Sequence, residues 1–169
     1  MIKQLPRYLL LFVVLITLQV LVFNNINLSG YINPYIYVLF ILLLPFSIPN
    51  WILLIIGFFT GFTVDYYMNT LGLHTSASVL LTFVRPTVLS WMSYRDDLDR
   101  FDSPGIGSSG LEWFLRYAVI SILIHHTALF VLETFSFYHF HITLLRIILS
   151  TLFTTLFIVL FELLRSSRK

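Results

Sequence analysis

The sequence predicts an all-α, polytopic integral membrane protein with six transmembrane helices, and three observations carry that expectation. Of its 169 residues, 58% are hydrophobic and only 11% are charged, against about 25% charged in an ordinary soluble domain. Its mean hydropathy is +0.90, and seventeen residues are Phe. That is more apolar surface than so small a chain can bury away from water, so lipid is the expected solvent. Apolar runs also recur near the length of about 20 residues that crosses roughly 30 Å of hydrocarbon at about 1.5 Å per residue.

The first run covers 8–23, follows Lys3 and Arg7, and ends in Asn24-Asn25-Ile26-Asn27. No small-x-small cleavage site follows it, so it reads as an anchor rather than a cleaved signal. The second, 35–48, opens after Asn33-Pro34 and closes at Pro45 to Pro49; it is short, and a tilted, broken or re-entrant path fits it as well as a straight one. The third, 51–68, fades at Tyr66-Tyr67-Met68-Asn69, and the fourth is 74–92. An inside loop, 93–112, leads to the fifth at 113–135 and the sixth at 142–164. The whole chain reads as a single six-helix membrane domain.

Basic residues in short loops are retained in the cytoplasm. With the N-terminus inside, the inside segments hold Lys3, Arg7, Arg95, Arg100, Arg165, Arg168 and Lys169, and the outside loops hold none. Both termini are therefore expected in the cytoplasm, which requires an even number of spans.

The composition excludes several functions. Ten basic and eight acidic residues make no basic surface for nucleic acid. With no cysteine, there is no disulfide, thiolate metal site, thiol nucleophile or lipid-accepting Cys. The histidines, 74, 125, 126, 139 and 141, include no H-E-x-x-H, and His125 and His126 are expected on different faces of one helix. No metal, cofactor or catalytic constellation is expected. The acidic stretch 94–102 carries four Asp and two Arg; it fails the EF-hand spacing and reads as a solvated loop, with a ligand or partner site as the rival. Gly105 to Gly110 reads as a flexible linker.

Ionisable side chains within spans each cost roughly 2.5–3.5 kcal/mol at a helix centre and therefore point to function. The candidates for such a role are Asp65, Arg85, Glu133 and Arg146. Asp65 lies about 21 Å along the third helix, hence in the outer third of the bilayer. Glu133 and Arg146 are expected close to it, with Arg146 offsetting one of the acids. Arg85 sits beside Pro86 in the fourth helix and either snorkels inward or reaches towards Asp65. A structural ion pair or packing contact stands beside a transport, proton or partner role for these groups. Gly57 and Gly61 form a G-x-x-x-G with Asp65 on the same helix face, a surface for close approach by a partner helix or by a helix of the same chain.

Gly61-Phe62-Thr63-Val64-Asp65, then Leu71-Gly72-Leu73-His74-Thr75-Ser76-Ala77, resembles the signature of the rod shape-determining protein MreD family: G-[LF]-x-x-D followed by L-G-x-x-x-x-A. Asn33-Pro34-Tyr35 to Leu44-Pro45, Trp51 and Phe83-Val84-Arg85-Pro86 also look like that family. Beyond Pro86 only hydropathy supports the likeness. The resemblance implies a non-catalytic inner-membrane subunit of the cell-wall elongation machinery. Its partner would be MreC, and through it MreB filaments and the RodA/transpeptidase synthase. It also implies a fold similar to the membrane substrate-binding subunits of energy-coupling-factor transporters, so a vitamin-type transporter subunit is the rival reading.

Overall fold

A computed structural model describes residues 4–25, 32–92, 102–135 and 140–166. In chain order the helices are α1 (Leu5–Leu21), followed by a 3-10 turn (Phe23–Asn25), α2 (Val38–Leu42), α3 (Asn50–Met68), α4 (Leu73–Met92), α5 (Ile106–Ser109), α6 (Leu111–Thr134) and α7 (Phe140–Ser166). The described residues are overwhelmingly helical and contain no sheet. Four helices are long and apolar enough to cross a membrane: α1 with its 3-10 turn, α3, α6 and α7.

Five of the six expected spans coincide with long helices to within a few residues. The exception is 35–48. Only Val38–Leu42 is α-helical there, a rise of about 7.5 Å, so no helix of spanning length exists at this place. Pro34, Pro45 and Pro49 explain the brevity: each removes a backbone N–H and disfavours helix at the residue before it. The segment is not peripheral. Every residue from Tyr35 to Leu44 is buried, and it forms the centre around which the long helices stand.

Its ends are fixed by contacts at opposite ends of the bundle. Near Pro34 it meets Gln19 of α1 and Ser150 of α7; beyond Leu44, the Phe46 N–H donates to the Asp102 carbonyl (3.1 Å). Among the described residues the chain thus forms five long helices and, between α1 and α3, this broken segment.

α4 is as long as α3 but more polar, because its buried face carries His74, Ser78, Thr82 and Arg85. It packs between α3 and α6. In α7 the buried stripe holds Thr143, Ser150, Thr151, Thr154 and Thr155 together with Ile147, Ile158 and Glu162, whereas Leu144, Leu145, Ile148, Leu152 and Leu156 are exposed. Small hydroxyl residues face inward and leucines outward, the reverse of a helix that packs in water.

Residues 105–110, expected as a flexible linker, instead form the single turn of α5, whose first N–H, that of Ile106, donates to Glu162 Oε1 (3.3 Å). The acidic cluster, apart from Asp102, lies outside the described residues.

Candidate functional site

Gly57, Gly61 and Asp65 lie on one buried face of α3, as helical spacing requires. The face is turned to α4 of the same chain. A Cβ on Gly61 would stand 2.5 Å from the His74 carbonyl oxygen and against the Thr75 Cα, and one on Gly57 would stand 2.5 Å from Thr82 Oγ1 and 3.0 Å from the Ser78 carbonyl oxygen. Two helices approach this closely only where one offers bare backbone.

Asp65 closes the joint. Its Oδ1 accepts hydrogen bonds from Thr70 Oγ1 (2.5 Å), the His74 N–H (3.0 Å) and His74 Nδ1 (3.1 Å). Oδ2 accepts from the Thr75 N–H (2.8 Å) and Thr75 Oγ1 (2.5 Å). His74 and Thr75 lie in the first turn of α4, whose N–H groups have no partner inside the helix. The carboxylate therefore caps α4 from the preceding helix, and its charge meets the positive end of the helix dipole.

The connection is short enough to permit this because Asn69 and Gly72 take left-handed conformations (φ +55° and +82°), which Gly adopts freely and Asn tolerates. Leu71 points fully outward at the turn, and the Gly72 carbonyl accepts from Ser76. The pattern that resembles the MreD signature thus assembles into one α3–α4 joint.

Of the partners considered for Asp65, neither Arg85 nor Arg146 bonds to it; Arg146 offsets the other acid, Glu133. Arg85 is 1% exposed and neither snorkels nor reaches Asp65. Its guanidinium donates to the Leu44 carbonyl and, through Nε, to Tyr117 Oη (2.9 Å), which in turn donates to the Leu42 carbonyl (3.3 Å). A cation thus satisfies carbonyls at the C-terminal end of α2, where the helix dipole is negative.

The opposite end of the central segment is held by neutral groups. The N–H groups of Asn33 and Tyr35 donate to Ser150 Oγ and Thr154 Oγ1 (both 3.0 Å), and Gln19 donates to the Pro34 carbonyl (3.2 Å). Backbone outside a helix is tolerated away from water only when protein groups satisfy it in this way.

Glu133 and Arg146 do pair, with both carboxylate oxygens within 3.1 Å of one guanidinium nitrogen. Arg146 also lies over the Phe130 ring, 4.5 Å from its centroid. Beside them is a cavity of about 200 Å³ lined by Asn33, Tyr35, Thr70 and His74 among others.

His125 and His126, expected to diverge, are both buried with their Nδ1 atoms 3.4 Å apart. α6 buries a wide face, and adjacent residues about 100° apart both fit within it. His125 Nε2 pairs with Tyr37 Oη (2.7 Å) and His126 Nε2 with Thr154 Oγ1 (3.1 Å).

Sequence reasoning passes over Glu162, which is 0% exposed, binds Arg165 at 2.5 and 2.6 Å, and receives the Ile106 N–H. Its i,i+3 spacing to Arg165 is the signal that could have found it. Gln19 and Tyr117 give no such local signal, because their partners are distant in the chain.

No family model matches the sequence, and no curated protein or solved structure matches it either.

Proposed function

We propose that this chain is a non-catalytic scaffold subunit of the bacterial cell-wall elongation complex in the inner membrane. In this reading it binds MreC and, through it, links MreB filaments to the RodA/transpeptidase synthase. The observation that carries the reading is the α3–α4 joint: Gly61, Asp65 and Gly72 of the MreD-like pattern build it, with separable tasks for the close-approach glycine, the capping carboxylate and the turn.

Membrane embedding is supported by the outward leucines and inward hydroxyls of α7. Six crossings, with both termini in the cytoplasm, are part of this reading and rest on the basic asymmetry of the loops. The α3–α4 face is occupied within the chain, so MreC would dock on an outer face.

The test is capture of MreC by the tagged chain in mild detergent, together with restoration of rod shape in cells lacking their own MreD. A folded, membrane-inserted chain that captures no MreC and restores nothing would refute the proposal.

One observation favours the second reading, a substrate-binding subunit of a small-molecule transporter. The 200 Å³ cavity places Arg146, Glu133 and His74 around a space at one end of the bundle. A small molecule that survives purification and is lost in Arg146→Ala would favour that reading over the scaffold.

A further inference from the structure

α1 is unevenly packed. Its buried residues are Leu15, Ile16 and Gln19, all in its second half, whereas Leu5, Leu9 and Leu10 are more than 60% exposed. The first half stands away from α3 and leaves an apolar groove of about 290 Å³, walled by Leu9 and Phe12 of α1, Phe40 and Leu44 of the central segment, and Ile56 of α3. The groove runs into a polar recess of about 580 Å³, and the two share Gln4, Tyr8 and Asp102. One elongated site therefore has an apolar stem and a polar mouth.

The mouth has a definite charge pattern. Glu162 and Arg165 line it but are committed to each other at 2.5 and 2.6 Å. Among the described residues two charges remain: Arg7, which is exposed and has no ion-pair partner, and Asp102, whose carboxylate receives only a long bond from Gln4 (3.4 Å). A guanidinium and a carboxylate that line one recess, neither in an ion pair among the described residues, complement a ligand that carries both an anion and a hydrogen-bonding cation.

We propose that this site binds one phospholipid with a phosphate–ammonium headgroup, of the phosphatidylethanolamine type. Its phosphate sits at Arg7, its ammonium at Asp102, and one acyl chain lies in the groove between α1 and α3. Guanidinium matches phosphate through paired N–H donors, and the carboxylate accepts from the primary ammonium. The inference requires the chain to lie in a bilayer, and it is independent of the scaffold function.

The test uses the full chain, first shown to leave membranes only with detergent, then delipidated and mixed with dioleoyl phosphatidylethanolamine, phosphatidylglycerol or phosphatidylcholine before native mass spectrometry. One molecule of the ethanolamine lipid should be retained at least fivefold more than the glycerol lipid. Asp102→Asn should bring that ratio near one, Arg7→Gln should lower retention of both several-fold, and Ile56→Trp, by filling the stem, should lower retention of all three. A lipid-free melting midpoint and helical dichroism equal to the parent's qualify each variant as folded. Equal retention of the lipids by the parent chain, or an ethanolamine preference that survives Asp102→Asn, would mean ordinary annular lipid and would overturn the proposal.

Discussion

Replacing Asp65 by Asn removes the charge and one of two acceptor oxygens while changing the volume little. If the amide oxygen takes the place of Oδ1, the bonds from Thr70 and His74 survive. The Thr75 N–H and Oγ1, now 2.8 and 2.5 Å from Oδ2, would face an NH2 group. A buried N–H left without an acceptor costs about 1–3 kcal/mol. The lost interaction of the anion with the α4 N-terminus adds about 1 kcal/mol. These terms overlap, so the expected destabilisation is about 3 kcal/mol, which for a chain of this size corresponds to roughly 6–12 °C in melting midpoint.

The assay is thermal unfolding in a single detergent, followed by helical dichroism, with Asp65→Ala as the more severe companion. Because the carboxylate is 5% exposed and surrounded by residues of its own chain, capture of the proposed partner, MreC, per folded molecule should not change. A melting midpoint within 2 °C of the parent would refute the capping argument. A normal midpoint with lost capture would show instead that Asp65 reaches a partner.

Arg85→Met should destabilise by about 3 kcal/mol, since both the Leu44 carbonyl and Tyr117 lose a buried partner; Arg85→Lys should recover part of this, read by the same unfolding assay. Gly61→Ala should cost about 1–3 kcal/mol and more than Gly57→Ala, because the nearest atoms are backbone at Gly61 but include the Thr82 side chain at Gly57. A double-mutant cycle on Glu133 and Arg146 should give a coupling below about 1 kcal/mol in detergent, the pair being 39% and 17% exposed. Single cysteines at Ser103 and Ser167 on this cysteine-free chain should resist an impermeant thiol reagent in intact cells; labelling at either would reverse the proposed topology.

The long helices were legible because apolar length and Pro/Asn punctuation are local properties. The α3 face was legible for the same reason: three residues at i, i+4 and i+8 must share a face, and Gly57, Gly61 and Asp65 do. What local spacing lacks is the identity of the opposing surface. Asp65 lies on α3 just as the arithmetic puts it, yet its partners come from the turn and first turn of α4, and four of its five bonds come from His74 and Thr75. A search for an opposite charge cannot find backbone N–H groups. His125 and His126 show the same gap, since the width of the buried face of α6 depends on what packs around it.

The broken central segment shows why hydropathy alone misjudges this interior. A chain that leaves the helix between α1 and α3 exposes backbone groups that neither lipid nor an apolar core can satisfy. The groups that do so are Gln19, Arg85, Tyr117, Ser150 and Thr154, contributed by four different helices. Each makes its own helix less apolar, and α4, which supplies Arg85 as well as the capped N-terminus, falls short of the four strongly apolar helices for that reason. The low hydropathy of α4 therefore follows from the polar groups it buries, His74, Ser78, Thr82 and Arg85.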